Sequence, residues 1–167
     1  MATAQTSSQT DRCIILETDF IAHSYNVAAG GAGNYSKAQI WNPVGSGKKI
    51  IVYTILTWHT SGTLQYQTVL TSTKLSTALG VTVQNITAGS SKTPVAELYK
   101  QNDQTTTSTL FTSKTSHATV AQNGTSGNIL AVIGVIKAGN GMNVELLTAN
   151  SAFNGVFCWA EVDDIVS

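Results

Sequence analysis

Leu64–Leu70 (LQYQTVL) alternates apolar and polar residues at period two, as a half-buried strand does. The fullest local plan lies upstream, from Gln39 to Trp58 (QIWNPVGSGKKIIVYTILTW). Ile40 and Trp41 end in Asn42-Pro43, which starts a turn. Proline fixes its own φ and drives the residue before it out of the helical region. Gly45-Ser46-Gly47 gives a backbone loose enough to reverse, and Lys48 and Lys49 mark the exit. Ile50–Trp58 follows, rich in β-branched and aromatic residues, and predicts a long strand.

Similar patterning predicts strands at Arg12–Glu17, Phe20–Val27, Lys37–Trp41, Val81–Ile86, Val95–Lys100 and Ser108–Thr112. Ala28–Asn34 is a glycine-rich loop, and Thr71–Leu79 is either one helical turn or a loop. Gln101–Thr107 is polar and predicts a loop, and Asn123–Asn128 a cluster of turns. Ile129–Ile136 (ILAVIGVI) is continuously apolar, which predicts a central strand buried on both faces. Gly139-Asn140-Gly141 turns into Met142–Thr148, and a turn at Ala149–Ala152 leads to a last strand, Phe153–Val162. That makes roughly eight to ten short strands, with no amphipathic helix and no repeat, the pattern of a sandwich, jelly roll or barrel. Met1–Thr10 shows no periodicity. The expected architecture is all-β: a polar arm over 1–11, then one domain over 12–167.

Composition narrows the partners. A chain of 167 residues suits one domain with a real core. Its net charge is zero, and only 11% of it is charged, against about 25% in an ordinary soluble protein. No basic face is available for a phosphate backbone, so no nucleic acid is expected. The 42% hydrophobic content argues against disorder. No segment is long and apolar enough to cross a bilayer as a helix, and Met1–Thr10 lacks the apolar centre of a signal peptide. No membrane partner is expected, and the chain should mature in the cytoplasm. There, Cys13 and Cys158 are expected as two reduced thiols.

Reaction chemistry is thinly signalled. His23, His59 and His117 stand far apart and outside any metal motif, so neither metal nor cofactor is expected. GSGKK lacks the upstream glycine and the following Ser/Thr of a phosphate loop, and GAGN lacks the third glycine of a dinucleotide fingerprint. No GxSxG elbow occurs, and the acidic residues are scattered; two of them meeting across strands as a hydrolytic pair stays open. Trp41, Trp58, Trp159, Tyr53, Tyr66 and Phe157 fall in or beside strands. Such aromatics either pack between sheets or stack on sugars; Trp58 and Trp159 are expected in the core.

Two stretches carry a family resemblance. Ile40–Ile55 (IWNPVGSGKKIIVYTI) is similar to a W-N-P-x-G-S-G-K turn opening a long apolar strand. Gly139–Val162 (GNGMNVELLTANSAFNGVFCWAEV) resembles a closing hairpin with a glycine turn, a TAN-type turn and an F-x-W-x-E strand in order. Together they resemble small virion structural proteins of tailed bacteriophages, of the kind that decorates a capsid or tail. The resemblance implies a β-sandwich or jelly roll, no catalysis, self-association (often as trimers) and binding to other virion proteins. It makes the domain over 12–167 an expected single jelly-roll-like β-sandwich. The expected protein is a non-enzymatic capsid-decorating (cement) protein of the virion, assembled in the host cytoplasm. Its expected partners are itself, as a homotrimer, and a major capsid or tail protein. Met1, Ala2, Thr3, Ala4, Gln5 and Thr6 of the arm are the expected subunit contacts, since a free polar strand can add to a neighbour's sheet edge. The alternatives are a receptor- or carbohydrate-binding module of a tail or head fibre, and a hydrolase on a β-sandwich.

Overall fold

The computed structural model describes residues 19–22, 24–59, 64–107, 118–120, 125–127 and 134–164, and thirteen strands within them form two antiparallel sheets. In the first sheet β4 (Lys48–Trp58) pairs with β13 (Phe153–Asp163) over nearly its whole length. On the free edge of β4 lie β10 (Thr125–Gly127) and β11 (Gly134–Ile136). On the other edge of β13 lie β1 (Asp19–Ala22) and β2 (Tyr25–Val27), with β7 (Val83–Asn85) outside β1. The second sheet runs β6 (Thr77–Ala78), β8 (Glu97–Gln104), β3 (Tyr35–Asn42), β12 (Asn140–Leu146), β5 (Leu64–Thr71) and β9 (Ala118–Val120). The sheets pack face to face: the all-β class predicted from strand spacing holds, and of the sandwich, jelly roll and barrel it left open the fold is a β-sandwich.

The connections over 43–47 and 147–152 both cross from the second sheet to the first. Strands β3 and β12 pair from Asn42↔Asn140 to Lys37↔Glu145, while β4 and β13 pair from Trp58↔Asn154 to Lys48↔Asp163. The two pairs therefore interlock. The stretches Ile40–Ile55 and Gly139–Val162, far apart in sequence, lie strand against strand.

The first crossing is held from inside. Asn42 is fully buried; its Nδ2 donates to the carbonyls of Lys48 at 2.7 Å and Ile136 at 3.0 Å, and Ser46 Oγ donates to its Oδ1 at 2.6 Å. Gly45 and Gly47 sit at φ 76° and 66°, where a Cβ is strained. Between the sheets, Ile40, Val144 and Leu146 meet Val52, Phe157 and Trp159. Trp159 stacks on Phe20 with ring centroids 5.9 Å apart, and Phe157 stacks on Tyr25 at 5.2 Å.

A β-bulge decides which way β4 faces. Its pairing with β13 runs Cys158↔Thr54 and then Trp159↔Val52, which leaves Tyr53 as the extra residue. Ile50 and Val52 are buried before it, Ile55 and Thr57 after it, so the inward phase shifts by one. Trp58 consequently points away from the core and is half-buried. Its expected core position is corrected.

Other expectations also shift. Strand β8 continues through Gln101–Gln104, where a polar loop was expected, because Gln101 and Gln104 find partners in Lys37 and Tyr35 of β3. Within Asn123–Asn128, expected as turns, Thr125–Gly127 is a strand on the end of β4. Of the apolar run Ile129–Ile136, the described part is β11, at the edge of β4, with Ile136 buried and Val135 45% exposed, not a strand buried on both faces. The strands expected at Arg12–Glu17 and Ser108–Thr112 lie outside the described residues, as does the arm 1–11.

Candidate functional site

Strands β3 and β12 are central in the second sheet, and each is buried along both faces. Toward the core they present Ala38, Ile40, Met142 and Val144; away from it they present Lys37, Gln39, Trp41, Asn143 and Glu145. The segment 72–76 folds over this outer face. Gln39 Nε2 donates to Thr73 O at 2.9 Å, and Leu75 N donates to Gln39 Oε1 at 2.9 Å. Trp41 lies across Gly141, where a Cβ would come within 2.7 Å of the indole.

The polar side chains beneath are satisfied by one another. Glu145 is fully buried; Lys37 Nζ lies 3.3 Å from its Oε1, Asn143 Nδ2 donates to the same oxygen at 3.0 Å, and Gln67 Nε2 donates to Oε2 at 3.1 Å. Gln39 Nε2 also donates to Asn143 Oδ1 at 2.8 Å. Burying a charged pair costs free energy unless partners replace the lost water, and here the carboxylate has three partners while the ammonium has Glu145 itself. At the edge of this patch Lys74 sits 4.6 Å over the Tyr99 ring and 2.7 Å from Glu97. Hydrogen bonds from Lys74 and then Tyr99 hold the Glu97 carboxyl below its ordinary range.

A second buried carboxylate, Glu161, belongs to the F-x-W-x-E strand. Alternation along β13 turns Phe157, Trp159 and Glu161 to the same inward side. Glu161 Oε1 accepts from the indole of Trp159 at 3.0 Å and from the amides of Val95 and Ala96 at 3.0 and 2.9 Å. Its role is that of a clip, tying the segment before β8 to the first sheet.

The outer face of the first sheet differs in kind. Ile51, Leu56 and Trp58 of β4 and Val156, Ala160 and Val162 of β13 point outward and are all half-buried, with exposed Val135 beside Ile51. The ion pair Lys49–Asp164 at 2.7 Å closes this face at one end, and Lys48–Asp163 pairs at 2.6 Å beside it at the same end of the strands.

The aromatics weighed as a sugar platform do not gather on one face. Trp159, Phe157, Tyr66 and Trp41 are buried, Tyr53 at the bulge is half-buried, and Trp58 alone of the three indoles is half-exposed. His59 is buried just beyond β4, whereas His23, His117 and Cys13 lie outside the described residues, with Met1, Ala2, Thr3, Ala4, Gln5 and Thr6. Among the described residues no three His, Cys, Asp or Glu side chains stand close enough to hold a metal ion. A shallow cleft of about 100 Å³ opens at the sandwich edge between Val27-Ala28 and Lys100–Asp103.

Sequence reasoning missed the row Lys37–Glu145–Asn143–Gln39–Gln67. Its only signal is polar residues alternating with apolar ones in KAQIW and MNVEL, which reads equally well as a solvated face. No family model, no curated protein and no solved structure matches the chain.

Proposed function

We propose that the chain is a non-enzymatic structural subunit of a bacteriophage virion, a capsid-decorating protein that associates with copies of itself and seats on a major capsid or tail protein. The observation that carries this is the outer face of the first sheet. Its inner face is already core, yet Ile51, Leu56, Trp58, Val156, Ala160 and Val162 give the outside an apolar patch, broken by Thr54 and by the Asn26–Asn154 hydrogen bond. A sheet apolar on both sides is one that a second layer covers. Two further observations support the proposal: the stretches Ile40–Ile55 and Gly139–Val162, which carry the sequence resemblance, interlock strand against strand, and the chain is only 11% charged.

The mechanism is mechanical. Apolar area removed from water at roughly 25 cal/mol per Å² drives association, and repetition over symmetric sites adds avidity. The interlocked strand pairs let a load on one sheet reach the other. A receptor- or carbohydrate-binding module is the second possibility, favoured by one observation, the half-exposed Trp58 on that same face.

The mass of the purified protein under native conditions separates the two. A stable trimer is expected; a monomer that binds glycans would contradict the proposal and favour the alternative.

A further inference from the structure

Nucleophile, proton acceptor, carboxamide and carbonyl-polarising donor meet on the outer face of the second sheet. Lys37 and Glu145 are directly opposed across β3 and β12, and Asn143 stands diagonal to Lys37 on the same face. Diagonal neighbours on a sheet lie within reach of long side chains. Glu145 Oε1 is 3.3 Å from Lys37 Nζ and 3.0 Å from Asn143 Nδ2, so one carboxylate oxygen touches both the amine and the amide nitrogen. The other oxygen is held by Gln67. On the far side of the carboxamide, Gln39 Nε2 donates to Asn143 Oδ1 at 2.8 Å, and Gln39 is itself fixed by Thr73 and Leu75. Lys37, Asn143 and Glu145 are 5%, 4% and 0% exposed, so water scarcely competes. A structural ion pair needs only the lysine and the glutamate. It does not call for a primary amide bonded through its nitrogen to the same oxygen, with its carbonyl on a fixed donor.

We propose that Lys37 and Asn143 condense into an intramolecular amide cross-link, with Glu145 carrying the proton. The Lys37 ammonium gives a proton to Glu145 Oε1 and becomes a neutral amine. That amine attacks Asn143 Cγ and forms the new C–N bond, while the charge growing on Oδ1 is met by the Gln39 N–H. Glu145 passes its proton to Nδ2 and takes one from the former lysine nitrogen. The Cγ–Nδ2 bond then breaks and ammonia leaves. An ammonium and a primary amide have become a secondary amide and ammonia, with the remaining proton on Glu145, or on the ammonia as it departs. No oxidant or cofactor is consumed. The cross-link ties β3 to β12, the pair that anchors the second-sheet half of the interlock, whatever the chain assembles with.

Intact mass of the purified, denatured full chain tests this. The cross-linked chain is about 17 Da (one ammonia) lighter than its sequence, after allowing for the initiator methionine, and digestion yields a branched peptide joining Lys37 to Asn143. Lys37→Arg keeps the cation, should keep the β-type circular dichroism, and restores the full mass. Glu145→Gln restores it as well; a Glu145→Gln chain that still loses ammonia overturns the proton-carrier role. A wild-type chain of full mass overturns the proposal. So does a light chain with no branched peptide, because succinimide formation at an Asn-Gly step such as Asn154-Gly155 accounts for that.

Discussion

The two sheets share one core but treat their outer faces in opposite ways. On the second sheet the outer face is polar, yet Lys37, Gln39, Gln67, Asn143 and Glu145 are buried and bonded to one another, with Gln39 fixed to the segment 72–76. On the first sheet the outer face carries an apolar patch of half-buried Ile51, Leu56, Trp58, Val156, Ala160 and Val162. Polarity of a strand face therefore does not say whether water reaches it. What matters is whether the side chains on that face can satisfy one another, and the polar face does this within the chain. Among the described residues nothing comparable to the segment 72–76 lies over the apolar set, which is why the proposed subunit contact is placed there.

The largest effect should come from the core both sheets share. Trp159→Ala removes a fully buried indole and should cost on the order of 3–5 kcal/mol, read as a lower urea midpoint. A cost near zero would mean that the sheets do not depend on one interior. Next is Glu161→Ala, which strands the Val95 and Ala96 amides and the Trp159 N–H; about 3 kcal/mol is expected. Hydrogen exchange at Val95 and Ala96 should quicken well beyond that of the β12 amides, and uniform protection would contradict the clip.

Leu56→Glu sharpens the contrast between the outer faces. It should leave the circular dichroism of the sandwich intact but weaken self-association by about 2 kcal/mol, as loss of an interface anchor does. An equally charged substitution at exposed Val44 should leave association unchanged. The smallest effect is the Lys74–Glu97–Tyr99 cluster. Because the folded-state pKa of Glu97 is depressed, its contribution is present above the ordinary carboxylate range and is lost as pH falls through the folded value. Glu97→Gln should slightly flatten the acid limb of a stability–pH curve. A steeper limb would contradict the sign.

Much of the sandwich was legible in sequence, because β-branched runs and glycine turns act locally. NPVGSGK reads as a turn for reasons that hold in the structure: Gly45 and Gly47 at positive φ, and proline forcing Asn42 out of helix. Trp58 was not legible. The bulge at Tyr53 exists only in the pairing of β4 with β13, and one extra residue reverses every later side chain. Gln101–Gln104 failed for a related reason, since a polar strand earns its place from its partner β3. The row around Glu145 was equally hidden, because lysine, glutamate and the amides come from three strands that sequence does not place side by side. Trp159 and Glu161 sit closer together, and there the F-x-W-x-E spacing did carry the clip, though not its target at Val95.

Whether the apolar face is covered by another copy of the chain can be read most directly from Trp58, the one indole the chain leaves half-exposed. Iodide quenching of tryptophan fluorescence, measured across a dilution series, isolates it from the buried Trp41 and Trp159. If copies cover the first sheet, quenching should be slight at high protein concentration and rise on dilution as Trp58 is uncovered. Quenching of Trp58 that is equally ready at every concentration, in protein whose native mass shows it assembled when concentrated, would contradict the assignment of that face.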